Sequence, residues 1–163
     1  MPDPRRRLLT AVLAFVQAAQ SLSGVRRIAL LGSLATDKPV PKDADVLVII
    51  DADLDLAPLA RLGRRLQGTA QTINLGADIF LADQAGRYLG RICHYRECHT
   101  RATCRAQHCG RRQHLNDDLQ IVTLSPALIA APPIDLWPRT IRRCALPADT
   151  GVLLLAQLEE NAP

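Results

Sequence analysis

Three short apolar runs in the first half of the chain constrain its fold more than any other feature. The first spans Val25–Leu31 and ends at Gly32-Ser33; the second, Val46-Leu47-Val48-Ile49-Ile50, is opened by Asp43-Ala44-Asp45; the third, 72–81, contains Ala77-Asp78-Ile79-Phe80-Leu81. Continuous aliphatic runs of this length, bounded by turn residues, read as strands buried on both faces. Between and before them the apolar spacing changes to that of a helix. Leu8, Val12, Phe15 and Val16 form one stripe over 5–21, and a second helix is expected over 56–66, with Asp55 as N-cap and Gly68 near its end. Strands that alternate with helices predict an α/β fold, a mixed β-sheet flanked by helices. Further on, 119–124 reads as a fourth strand. The stretch 125–147, broken by five prolines, reads as mostly loop or packed extended chain, and 152–158 as a short terminal helix.

The aspartates carry the chemistry. Side chains alternate along a strand, so Asp43 and Asp45 point to one face. Asp78, on a neighbouring strand, is placed to complete a cluster. Three carboxylates on one patch repel one another unless a cation lies between them. A hard cation held through carboxylates, waters and substrate phosphates is the natural partner, which points to magnesium. Gly32 lets backbone approach a phosphate closely, and Ser33 offers a hydroxyl; a short helix starting there would aim N–H groups at an anion.

The order Gly32-Ser33, then Asp43-x-Asp45, then Asp78 on a later strand resembles the DNA polymerase β-like nucleotidyltransferase superfamily, in particular its small, minimal members. The resemblance covers roughly residues 25–82. It implies that Gly32 and Ser33 hold a triphosphate, that Asp43 and Asp45 bind two magnesium ions, and that Asp78 binds the ion nearer the acceptor and helps activate its hydroxyl. The implied reaction is attack of an acceptor hydroxyl on the α-phosphate of a nucleoside triphosphate, with release of pyrophosphate. The acceptor would be an RNA end, a protein hydroxyl or a small molecule, and by analogy with small members the role would be toxin-like. Minimal members often place an arginine shortly after the glycine-serine pair. This chain has Leu34-Ala35-Thr36-Asp37 there, and Lys38 and Lys42 are the candidates for phosphate contact instead.

A different signal lies in 87–114, read as a metal-binding insertion between core segments 5–86 and 115–163 of a single domain, 1–163. Cys93, Cys98, Cys104 and Cys109 follow the pattern C-x4-C-x5-C-x4-C, with His94, His99 and His108 interleaved. In a reducing compartment such clustering favours metal over disulfides. Structural zinc on four thiolates is the leading expectation; a histidine substituting for one cysteine, an iron–sulfur cluster and buried thiols are the alternatives. The same segment holds Arg87, Arg91, Arg96, Arg101, Arg105, Arg111 and Arg112 against Glu97 alone, although the whole chain carries only +4. Such a concentration on a slightly acidic body points to a phosphate-bearing partner, with Arg96, Arg101, Arg105, Arg111 and Arg112 gripping a nucleic-acid backbone and Tyr95 or Tyr88 stacking on a base. The competing class of function is therefore a non-catalytic, zinc-stabilised nucleic-acid-binding module on an inactive nucleotidyltransferase fold.

No apolar run approaches a membrane span. The basic start of the chain continues into a stretch with Gln17, Gln20 and Ser21, an amphipathic helix and not a signal peptide, so a cytoplasmic protein is expected. Asp51, Asp53 and Asp55 read as a solvated loop and helix cap, Asp117-Asp118 as an exposed turn, His114 as surface, Trp137 as an anchor for the proline-rich chain, and Cys144 as buried.

Overall fold

A computed structural model describes residues 3–94, 112–117 and 119–161. Its centre is a seven-stranded mixed sheet in the order β5-β4-β3-β2-β1-β6-β7. The strands are β1 (Val25–Leu31), β2 (Asp43–Ile50), β3 (Gly76–Ala82), β4 (Tyr88–Ile92), β5 (Leu115–Asn116), β6 (Ile134–Trp137) and β7 (Ile141–Arg142). The β2–β3 pair is parallel and every other neighbouring pair is antiparallel. A parallel pair needs a crossover, and helix α2 (Leu56–Gln71) supplies it.

One face of the sheet is covered by α1 (Pro4–Ala19), α2 and a C-terminal helical run. Leu8, Val12, Phe15 and Val16 of α1 and Leu59 and Leu66 of α2 pack there against Ile28, Leu30, Val46, Val48, Ile79 and Leu81. Both helices begin at aspartate caps: Asp3 accepts from the Arg5 N–H at 3.1 Å, and Asp55 from the Ala57 N–H at 3.0 Å. The C-terminal run comprises α4 (Ala148–Thr150), a π-helical turn (Gly151–Leu155) and α5 (Ala156–Glu160). The opposite face carries Ala29, Leu31, Leu47, Ile49, Phe80 and Ala82, covered by Val122, Leu124 and helix α3 (Pro126–Ala130). That cover is short, and the N-terminal ends of β2 and β3 lie beyond it.

Several expectations need correction. No strand forms over 119–124; its apolar residues cross the second face as irregular chain, and the sheet takes β4 in its place. β4 falls inside the segment read as an insertion, so the sheet continues to Ile92. The proline-broken stretch 125–147 contains α3, β6 and β7, because Pro126 takes the first position of α3, where no N–H is needed, and the other prolines lie outside the strands and leave the ladder hydrogen bonds intact. α2 runs through Gly68 to Gln71, and β3 starts at Gly76 and not at Thr72. Cys144 is exposed. The peptide bond between Trp137 and Pro138 is cis. Among the described residues, no helix is long and apolar enough to cross a membrane.

Two buried ion networks tie the C-terminal part to the rest. Asp135, only 2% exposed, receives Arg27 through Nε at 2.6 Å and Nη2 at 2.8 Å, and Arg143 through Nη1 at 2.8 Å. Arg5 is likewise buried and forms a two-pronged pair with Asp149 at 2.8 and 3.1 Å.

Candidate active site

Asp43, Asp45 and Asp78 lie on one face of the sheet. Their alternate neighbours Ala44, Val46 and Ala77 belong to the helix-covered core, which fixes the aspartates to the opposite side. The parallel register sets Asp45 directly beside Asp78 and Asp43 beside Gly76, and β1 ends with Leu31 opposite Asp45. All three aspartates are half-buried.

Two glycines make room for the carboxylates. A Cβ on Gly32 would collide with Oδ2 of Asp45, and one on Gly76 with Oδ1 of Asp43. Gly32 also has φ +68°, in the left-handed region. Gly32→Ala should therefore cost about 1–2 kcal/mol of stability and swing the Asp45 carboxylate from its position. Thermal melts and magnesium titration of this variant test both effects; an unchanged ion affinity would show that the glycine serves the turn alone.

The electrostatics of the cluster are divided. Burial, then Asp78 and then Asp43, push the Asp45 carboxyl from 3.8 up to about 7. Asp78 goes the other way. Burial acts to raise it, but the hydrogen bond and charge of His94, together with Arg91, outweigh burial and hold it below its usual value. His94 Nε2 is 3.0 Å and Arg91 Nη1 3.4 Å from Asp78 Oδ1. A half-buried carboxylate sharing its site with two others gains from a cation, and in chemistry the all-oxygen donor set suits a hard one such as magnesium. Among the described residues, no group of three His, Cys, Asp or Glu side chains is drawn together as a finished metal cage. Asp78 Oδ1 instead faces His94 and Arg91.

Gly32–Ala35 forms a four-residue 3-10 turn where a short helix was expected. Its shape is held from behind by Arg5. Nη1 donates to the carbonyls of Ser33 (3.1 Å) and Lys38 (3.0 Å), and Nη2 to the carbonyl of Leu34 (3.4 Å) and to Thr150 Oγ1 (3.1 Å). The Ser33 hydroxyl donates to the Asp43 carbonyl at 3.4 Å. Lys38 and Lys42 are exposed; the Lys42 carbonyl accepts from the Gly76 N–H at 3.1 Å. A cavity of about 760 Å³ opens beside the turn, between Gly32-Ser33 and the segment around Cys144 and Leu146.

Arg5, Arg91 and His94 are the contributors that reasoning from the sequence did not assign to the site. Arg5 had no local signal, since its carboxylate partner is Asp149. His94 was grouped with the thiolates, yet its ring lies on Asp78. Cys93 is buried at the end of β4, with its N–H donating to the His114 carbonyl at 2.8 Å. Cys98, Cys104, Cys109, Tyr95, Arg96, Arg101, Arg105 and Arg111 lie outside the described residues. Tyr88 is buried against Phe80 and is not available for stacking on a base. His114 is half-buried, with Nδ1 3.1 Å from Arg64 Nη2.

The chain belongs to a family of unknown function, DUF6932, whose model matches residues 2–118. Neither a curated protein nor a solved structure matches it.

Proposed function

We propose that this member of the family is a magnesium-dependent nucleotidyltransferase, moving a nucleoside monophosphate from a nucleoside triphosphate to an acceptor hydroxyl. The observation that carries the reading is the convergence of Asp43, Asp45 and Asp78 on one sheet face beside the Gly32-Ser33 turn. Asp43, Asp45 and Asp78 would hold the ions. When bound, two magnesium ions supply charge neutralisation for the attacking and leaving oxygens. The remaining work is positioning. The Gly32-Ser33 turn, fixed by Arg5, receives the triphosphate. Asp78, kept ionised by His94 and Arg91, faces the acceptor. The acceptor oxygen bonds to the α-phosphorus as the bond from that phosphorus to the bridging oxygen breaks, the hydroxyl proton passes to Asp78, and pyrophosphate leaves.

The arginine-rich, cysteine-rich sequence of 87–112 favours a polyanionic acceptor such as an RNA end, and also sustains the second reading, a zinc-stabilised nucleic-acid-binding module without catalysis. One experiment separates them. The full chain is incubated with labelled nucleoside triphosphates, magnesium, and total RNA or lysate. Label transferred to an acceptor by wild type and lost in D43A/D45A is the expected result. Salt-sensitive polynucleotide binding with no transfer under any nucleotide would replace the enzyme by the module. Metal analysis of the same preparation reads whether the cysteines hold zinc.

A further inference from the structure

The cavity beside the Gly32-Ser33 turn has a composition that the aspartate cluster does not explain. Its volume of about 760 Å³ is in the range of small-ligand sites. Pro133, Leu146 and Pro147 give it flat apolar walls, Ser33 and Asp37 a polar edge, and neither lysine nor arginine lines it. Such a lining suits an uncharged, planar body and is poor for a polyanion. It nevertheless shares Gly32 and Ser33 with the aspartate cluster: Gly32 abuts the Asp45 carboxylate, and the Ser33 hydroxyl bonds to the backbone of Asp43. A ligand spanning the turn would therefore have its anionic end among the aspartates and their ions and its uncharged end between the prolines.

Resting on the nucleotidyl-transfer reading, we infer that this cavity receives the nucleoside half of the triphosphate and selects a purine bearing an amine at C6. The amine donates to the Asp37 carboxylate, and the ring lies against Pro133, Leu146 and Pro147. An oxo group at the same place would meet a carboxylate with no hydrogen to share. The exposed Cys144 lines the same cavity, with Sγ 3.7 Å from the Ala35 carbonyl and 3.8 Å from that of Pro133. It reports occupancy without any need for turnover.

The test is alkylation of Cys144 by iodoacetamide in the full chain, resolved from the other cysteines by peptide mass spectrometry, with magnesium omitted. Adenosine should slow the reaction, guanosine and inosine, which both carry an oxo group at C6, should do so about three- to tenfold less effectively, and inorganic tripolyphosphate should leave the rate unchanged. Asp37→Ala, at an exposed position, should erase the difference between adenosine and the two 6-oxo nucleosides. Equal protection by all three nucleosides in wild type, protection by tripolyphosphate alone, or no protection by any nucleoside would overturn the assignment. The D43A/D45A variant separates this inference from the reading beneath it. Nucleoside protection retained there, with no transfer found in wild type, leaves the cavity assigned and removes the enzyme. Transfer in wild type with Cys144 alkylated at an unaltered rate does the reverse.

Discussion

Replacing Asp45 by asparagine is expected to cripple the proposed nucleotidyl transfer and, at the same time, to raise the melting temperature of the metal-free protein at pH 8. The two effects share one cause. Asp45 lies between Asp43 and Asp78, and burial and those neighbours raise its carboxyl from 3.8 to about 7. Between these values the unfolded chain has released its proton while the folded chain still holds it. Stability contributed by this group therefore falls as pH rises from about 4 to about 7, and above that range the penalty is complete. Asparagine removes the penalty, so the variant should gain about 1–3 kcal/mol at pH 8, with allowance made for solvent screening of a half-buried group. The gain should vanish near pH 4. Transfer should drop at least about 10²–10³-fold, the scale seen when one preorganised electrostatic contact is removed from a site. Magnesium should raise the melting temperature of wild type and leave the variant unmoved. Melts across pH 4–8 in a chelator, repeated with magnesium, read all of this. A variant less stable than wild type at pH 8, or one that still transfers label at the normal rate, would remove Asp45 from the role given to it.

Arg5→Ala should be among the most destabilising single changes outside the apolar core. The guanidinium is 6% exposed and donates to Asp149, Thr150 and the carbonyls of Ser33, Leu34 and Lys38. Truncation leaves a carboxylate and three carbonyls without that donor, at a cost of about 3–5 kcal/mol. For a chain of this size that is a fall of about 10 °C or more in melting temperature. Arg5→Lys keeps the charge but not the planar fork, and should recover only part of the loss. The acid limb adds a check. The Arg5 hydrogen bond holds the Asp149 carboxyl below 3.8, so its contribution is present above that value and is lost as pH falls through the lowered one. Wild type and Arg5→Ala should thus converge in stability as the solution is acidified. A parallel offset down to the lowest measurable pH would mean that Arg5 acts through packing and its neutral hydrogen bonds, without the ion pair.

The elements legible in the sequence were those whose signal is local. β1 was bounded correctly at Val25–Leu31 by an unbroken apolar run, and the two caps, Asp3 and Asp55, illustrate the difference between short and long range: Asp55 was read from its position before an apolar stripe, whereas the consequences of Arg5 two residues after Asp3 were not. The shared face of Asp43 and Asp45 follows from strand alternation alone. That Asp78 joins them depends on the parallel register Asp45↔Asp78, which the α2 crossover sets and no local pattern encodes. β4 is obscured because Gly86 precedes it and Gly90 interrupts it, and glycine carries no strand signal, and β6 by the prolines at 133 and 138 that bracket it. His94 was hidden by its company: among cysteines an imidazole reads as a metal ligand, and only the β3–β4 pairing brings it to Asp78.

The position of β6 beside β1 has a practical consequence. The family match stops at residue 118, which invites cutting the chain there to obtain a minimal unit. Such a fragment would strip β1 of its β6 partner, leave the Arg27 and Arg5 guanidiniums without Asp135 and Asp149, and uncover an open hydrogen-bonding edge that templates self-association. The boundary drawn by sequence similarity is thus no place for scissors: the stretch beyond it, 119–163, closes the architecture on which the aspartates stand.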